Sequence, residues 1–515
     1  MVETKTLPST PPGAMRDAPP FGIATLIALF LAVHVVTAWL MPLNVDESYA
    51  VAVSRQPSLA FFDHPLLAFS LARWSAEIFS SEAKIFVRLP YVLLGAATTW
   101  LLWSITRRLS SPRAALWAAA WFSIAPYFCI AANQFIGPDG PLGFFLLLTI
   151  WFAFPALFDD RPARPVLRWA LAGTALGLAM LSKYHAAIFA LAALIAMLAL
   201  PRGRRALRTP GPWLAATIAL FLQIPTFVWN SRHYWASFRF QAERADPHGH
   251  MTFDLLGLAG QQLGQMAFLW PVPWFMAVAA IVAAFRRGAS EERRAFALIA
   301  SVLILFFDLV SLSGSPSPPH WSMPGFLIAM PLVGILCEET AGRWRRFLRP
   351  LFWLGFGGTL LILGLATYHM RYGLPFTDRP AVARSEARWD TSDWSDLAPR
   401  MKERGAFVSG TEFAYGLSYQ TAGKIAYALG PDVPVIAAPI NPRHFEYLRP
   451  KAIPENATGY AFAPARLDNI DAQARQVGEY LKDRFGTVER LEPVIQRRGG
   501  KDSFAILVFR VSGPR

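Results

Sequence analysis

Charge is scarce in this chain. Only 16% of its 515 residues are Asp, Glu, Lys or Arg, while 54% are hydrophobic; a soluble domain carries about 25% charged residues. That deficit excludes an ordinary soluble globule and points to a polytopic membrane protein. Cysteine is nearly absent. Cys129 and Cys337 fall near opposite membrane faces in the topology below, so no disulfide is expected, and two cysteines alone cannot build a structural zinc site. Walker loops, glycine-rich dinucleotide turns and His-Glu-x-x-His are missing as well, which argues against a nucleotide-driven enzyme. Acidic residues are the minority charge, 35 against 49 basic, for a net charge of +14. In a soluble chain that balance would suggest nucleic acid. Here the arginines sit in short clusters between apolar runs, as membrane topology requires, and a nucleic-acid partner is not expected.

Residues 1–20 are Pro-rich and polar and read as a disordered cytoplasmic tail. The apolar run from Phe21 to Leu43 is too long for a signal-peptide core and reads as an uncleaved first span. Later runs lie near 86–106, 114–131, 141–158, 167–181, 186–200, 212–229, 267–285, 295–312, 322–338 and 350–368, giving about eleven spans. Arginine clusters at 107–113, 161–168, 202–208, 286–294 and 343–349 all fall on one side if the N-terminus is cytoplasmic. The opposite side then holds 44–85, 132–140, 182–185, 230–266, 313–321 and everything after 369. The expected fold is mainly α: a transmembrane helical bundle at 21–368, with interfacial helices at 47–60, 66–80 and 255–266. A small α/β domain at 369–515 stands outside the membrane, with strands near 406–409, 433–438, 459–463 and 504–511 and helices near 411–428 and 468–485. The stretch beginning at Asp390 reads as an N-cap leading into a further helix.

The unusual polar groups gather on the non-cytoplasmic side: Asp46, Glu47, Asp63, His64, Arg88, Asn133, Asp139, Lys183, Tyr184, His185, Asn230, Arg232, His233, Arg239, Arg244 and His320. Carboxylates at a membrane boundary are costly to desolvate and mark working sites. Asp46 reads as a general base or, structurally, as the cap of the helix at 47–60. Asp63-His64-Pro65 reads as a site turn or a helix start with Pro at its first position, and Asp139 as a second carboxylate or a loop residue opening the fourth span. Lys183 is either a phosphate contact or a snorkelling helix end. The aromatic stretch around His233 and Arg244 reads as an interfacial belt whose cations line a headgroup site, and His320-Trp321 as a connector with an interface anchor. Three carboxylates and two histidines leave room for a divalent metal, though no ligand spacing requires one.

The order of these motifs resembles the membrane glycosyltransferases of the protein-mannosyltransferase (GT-C) type, the bacterial branch with the lipid A aminoarabinose and galacturonic acid transferases included. The resemblance rests on Asp46-Glu47-Ser48-Tyr49, Phe62-Asp63-His64-Pro65, Arg88-Leu89-Pro90, Pro138-Asp139-Gly140-Pro141, Ser182-Lys183-Tyr184-His185, the Trp229–Arg244 loop and His320-Trp321-Ser322-Met323-Pro324. It implies an inner-membrane enzyme that takes a sugar from a polyprenyl-phosphate donor to a lipid or glycan acceptor, with inversion, on the periplasmic face. It further implies catalytic roles for Asp46, Asp63 and Asp139, donor-phosphate contacts from Lys183, His64, Arg244 and His320, and support from Glu47, Tyr49, Arg88 and His233. His320 departs from relatives that carry Lys there. A multispan transporter or lipid flippase is the competing reading; it would call for polar residues deep inside spans, of which Gln223 and Asp308 are the examples.

Overall fold

The computed structural model describes residues 22–245, 253–340, 345–374, 389–408, 410–448 and 457–514. The N-terminal tail expected at 1–20 lies outside them. Among the described residues, eight helices are long and apolar enough to cross a membrane, or ten if each of two sharply bent pairs counts as one span. These include α1 (Ile23–Leu40), α4 (Lys84–Leu109), α6 (Asp139–Phe158), α7 (Pro165–Ser182), α15 (Glu291–Leu312) and α17 (Arg345–Tyr372).

Every apolar run of the sequence is at least partly helical, but not every one is a simple span. The run at 114–131 forms only α5 (Pro112–Ile124). It stops where Ala125 turns extended ahead of Pro126, and a short π-helical turn (Tyr127–Ala132) follows. Residues before proline avoid the α region. The bent pairs are α8 (Ala186–Ala199) with α9 (Pro201–Leu207), at 107°, and α13 (Leu255–Leu269) with α14 (Pro271–Ala284), at 109°. In both, the second helix opens on proline, whose missing N–H suits a first helical position. The bundle is centred on α16 (Met323–Glu339), buried along almost all its length among α4, α5, α14 and α15.

The first loop holds α2 (Val45–Ser54) and α3 (Leu67–Ile78). The helix expected at 47–60 is therefore shorter, and Asp46 is not its cap. Asn44 accepts from the Glu47 N–H at 2.9 Å while Glu47 accepts from the Asn44 N–H at 3.1 Å, a reciprocal capping box. On α3, Trp74, Ile78 and Phe79 remain exposed, as a helix lying in a membrane interface requires.

Beyond α17 lies a five-stranded sheet of order β2-β1-β3-β5-β4, where β1 is Phe413–Gly416, β2 Val435–Ala437, β3 Thr458–Ala465, β4 Phe485–Arg498 and β5 Lys501–Pro514. β1 pairs parallel with β2 and β3; β5 pairs antiparallel with β3 and β4. Its helices are α18 (Leu397–Glu403), α19 (Tyr419–Leu429) and α20 (Ile470–Lys482). The expected strand at 406–409 and the helix start at 411 are thus displaced: the first strand is 413–416 and α19 begins at 419. β4 occupies residues beyond the expected helix end at 485, and the turn at Asp390 precedes a helix that starts only at Leu397.

The domain is seated on the first loop through α19 and α2. A Cβ on Gly423 would come within 2.7–2.9 Å of the Tyr49 N, Cα and Cβ, so only glycine permits this crossing. Arg55 forks onto Glu82 and donates to the Ala426 and Gly430 carbonyls at the end of α19. Lys424, buried, donates to the Leu43 carbonyl at 2.5 Å and the Ser392 carbonyl at 2.7 Å.

Candidate active site

The first loop carries the acidic pair, and its two members part company. Glu47 is 1% exposed and accepts from Arg88 Nε at 2.7 Å and Nη2 at 2.6 Å, and from the Ile136 N–H at 3.1 Å. Arg88, 0% exposed, spends its remaining N–H groups on the carbonyls of Ala38, Met41 and Pro42. A fully satisfied buried ion pair of this kind holds backbone together and offers a substrate nothing. Arg88, expected as a supporting residue, clamps the end of α1.

Asp46 points the other way. It is exposed, yet protein surrounds it closely enough that desolvation raises its pKa; the Asp63 and Glu47 carboxylates push the same way, while Arg443 and a hydrogen bond from Tyr419 oppose. A reachable but crowded carboxylate lines a cleft. The Tyr419 hydroxyl donates to its Oδ1 at 3.3 Å.

Asp63 is 2% exposed. Its Oδ1 accepts from the Tyr49 hydroxyl at 3.1 Å and its Oδ2 from Arg443 Nη1 at 3.1 Å. Its loop is pinned from both sides. The Phe62 N–H donates to His444 Nδ1, the Ser237 hydroxyl to the Phe61 carbonyl, and Gln241 to the Asp63 carbonyl. His64 faces Asp63 on one side and the Lys183–Asp139 pair on the other, and burial lowers its pKa to about 4. It is therefore neutral at ordinary pH: a hydrogen-bond group rather than the cation expected for donor phosphate.

Asp139 opens α6, close under Ala132, whose carbonyl lies 2.2 Å from where a Gly140 Cβ would stand. Lys183 Nζ reaches Asp139 Oδ1 at 2.7 Å and is 6% exposed. The two residues, given separate roles by the sequence, form one ion pair. His320 and His64 complete this second cluster, both close enough to couple electrostatically to the pair. Arg244, on α12 (Ala236–Ala245), lies over Phe240 and Trp321 and couples to Arg443, Asp63, Tyr419 and Asp46. His233 stays behind the site, its Nδ1 2.6 Å from the Trp229 carbonyl and its ring stacked on Trp229. Tyr49, on α2, meets the site through its hydroxyl on Asp63.

Sequence reasoning missed Arg443, Tyr419 and His444, all from the C-terminal domain. Arg443 has φ 47°, a left-handed conformation uncommon outside glycine and typical of strained functional turns. Its guanidinium lies 3.7 Å above the Tyr419 ring and 5.7 Å from that of Phe240. The His444 N–H donates to the Tyr49 hydroxyl at 3.1 Å, and burial lowers the His444 pKa to about 4. The carboxylates do not converge as a ligand set. Asp63 faces Arg443 and Asp139 faces Lys183, and among the described residues no group of three His, Cys, Asp or Glu is placed to hold a metal ion.

The arrangement thus combines one reachable carboxylate, a buried carboxylate under an arginine, and further cations and imidazoles on the same side. Residues 63–229 match a family model described as dolichyl-phosphate-mannose-protein mannosyltransferase. The lipid A galacturonosyltransferase RgtD of Rhizobium johnstonii is 22% identical over 283 residues, 55% of this chain and 58% of that protein, so the match spans under two thirds of the relative's length. The crystal structure of ArnT from Cupriavidus metallidurans bound to undecaprenyl phosphate superposes with a TM-score of 0.63 at 15% identity, covering 94% of this chain and 97% of that one. The archaeal oligosaccharyltransferase AglB from Archaeoglobus fulgidus, in complex with an inhibitory peptide and a dolichol-phosphate, gives 0.51 at 12% identity, covering 88% and 70%. The chain therefore has the fold of these membrane enzymes, and about half of it is similar to a lipid A galacturonosyltransferase.

Proposed function

We propose that this chain is an inverting glycosyltransferase that moves a sugar from a polyprenyl-phosphate donor to a hydroxyl of an envelope lipid or glycan on the periplasmic face. The observation that carries this reading is Asp46: the one site carboxylate that is both reachable and raised in pKa. The acceptor hydroxyl attacks the anomeric carbon, the bond from that carbon to the phosphate oxygen breaks, and Asp46 takes the hydroxyl proton. A base poised above the ordinary carboxylate range is better matched to that transfer. The leaving group is a phosphate monoester, whose second pKa of about 6 lets it depart without a strong acid. It needs cationic stabilisation instead. Arg244 is the candidate on the Asp46 side, with Lys183 and hydrogen bonds from His64 and His320 on the other. Asp63 holds Arg443 and, through it, the charge balance around Asp46.

The test is release of polyprenyl phosphate and appearance of glycosylated acceptor by the purified chain in vesicles, supplied with donors and envelope lipids extracted from a strain lacking the protein. Asp46→Asn is expected to lower turnover by about 10²–10⁴-fold while the protein remains folded. Normal turnover by that variant would remove Asp46 as base. Donor translocation without sugar transfer would replace the enzyme reading with that of a flippase.

A further inference from the structure

Where the end of α1, the start of α4 and the end of α17 meet the C-terminal domain lies a polar cavity of about 170 Å³, separate from the residues assigned above. Four basic side chains line it: Lys84 and Arg371 from the bundle, Arg497 and Arg498 from the β4–β5 hairpin; Asp393 is the carboxylate in its wall. Lys84 reaches the Leu40 carbonyl at 3.3 Å, Arg371 lies over the Tyr372 ring, and Arg498 donates to the Ser392 hydroxyl at 2.6 Å. Arg497 pairs with Asp502 at 2.9 Å. Among the described residues, the cavity wall thus brings together two cations of the bundle and two of the domain. Ser392, Ser503 and Gln496 in the same wall add neutral hydrogen-bonding groups.

The cavity sits at a recognisable level. Trp39, Tyr368 and Tyr372 stand exposed at the ends of α1 and α17, as aromatic side chains do where acyl chains give way to headgroups. Below them Val35, Val36, Leu361, Ile362 and Leu365 present an apolar surface, and the two helices are joined near their ends through Met41, Leu363 and Met370. A ligand filling both parts must be apolar below and anionic above.

We propose that this cavity binds the phosphodiester of an anionic membrane phospholipid, whose acyl chains lie along the α1–α17 surface. Two of the four cations belong to the bundle and two to the domain. A phosphate between them is held from both sides of the junction, a bridge that seats the domain on the bundle. The site is independent of the sugar chemistry and would stand even if that reading fell.

The experiment measures lipid retained by the full-length protein taken from phosphatidylcholine vesicles with or without phosphatidylglycerol, by native mass spectrometry. The wild type is expected to retain phosphatidylglycerol in preference to phosphatidylcholine. Arg371→Gln with Arg497→Gln, both on exposed side chains, is expected to weaken retention about thirtyfold, at about fivefold for each cation near a lipid phosphate, with thermal unfolding in phosphatidylcholine alone unchanged. Lys84→Met alone is expected to weaken it about fivefold. Equal retention of the two lipids, or full retention by the folded double variant, would overturn the proposal. So would displacement of the lipid by an equal concentration of inorganic phosphate, which would make the site one for soluble anions.

Discussion

Replacing Arg443 with methionine removes a cation from the cleft while keeping a long side chain over the Tyr419 ring. Its guanidinium is 3.1 Å from the buried Asp63 carboxylate and opposes the desolvation that raises the Asp46 pKa. An opposite charge at close range lowers a carboxylate by about 1–3 units. Arg443 is 24% exposed, so solvent screening argues for the low end, about one unit. The sign follows directly. A base works only when ionised, so activity falls as pH drops through its pKa. Without Arg443 that pKa rises, and the fall begins about one unit higher, a tenfold loss at any pH on the acid limb. The assay is kcat/KM for polyprenyl-phosphate release across the acid range. Asp63 would also lose its partner, at about 2 kcal/mol, so thermal unfolding must show the variant folded. Arg443→Lys, which restores charge without the fork, should bring the limb most of the way back. A folded Arg443→Met protein whose acid limb does not move, or moves to lower pH, would refute the coupling and with it the role of Asp46.

Gly423→Ala should lower activity by tenfold or more while leaving the membrane bundle intact. The added carbon meets Tyr49 backbone atoms at 2.7–2.8 Å and must lift α19, carrying Tyr419 away from Asp46; unchanged turnover would show the domain is not needed. Lys424 has its pKa lowered to about 7 by burial. Between about pH 7 and 10.4 the unfolded lysine holds a proton that the folded one does not, so stability rises with pH across that window. Below 7 both states are protonated and the full cost of burying the charge is present. Lys424→Met should abolish this slope, read as the thermal midpoint from pH 6 to 9. Lys183→Met should raise donor KM more than Asp139→Asn does, because the latter frees the lysine charge; the reverse order in steady-state kinetics would place the donor phosphate elsewhere.

The membrane bundle was legible because apolar run length is a physical constraint that each segment obeys separately. The separation of Asp46 from Glu47 was legible too, by another route than the one taken: Asn44-x-x-Glu47 is the pattern of a capping box, and it commits Glu47 to the helix start. Arg88 also carried a signal. It stands inside the apolar run at 86–106, and a charge there needs a buried partner; Glu47 on the preceding loop is that partner. β4 was missed because it is an edge strand. Its outer face is charged, Pro493 interrupts it, and its register with β5 shifts between Leu491 and Val494, so it lacks the alternation that marks half-buried strands.

Arg443, Tyr419 and His444 had no such signal, and the reason bears on how the site works. Arg443 and Asp63 are 380 residues apart in sequence, and nothing in a short Asn-Pro-Arg-His turn distinguishes it from solvent-exposed loop. What makes it a site residue is the seating of one domain on another: Gly423 against Tyr49, Arg55 on the end of α19, Lys424 on the Leu43 carbonyl. Each contact joins the C-terminal domain to the loop that carries Asp46 and Asp63, and two more, Tyr419 to Asp46 and Arg443 to Asp63, end on those carboxylates themselves. The electrostatics of the cleft are therefore set by docking. A change that loosens the domain must act on the Asp46 pKa before it acts on the fold, which is why the acid limb of activity is the sensitive readout for every contact along that junction.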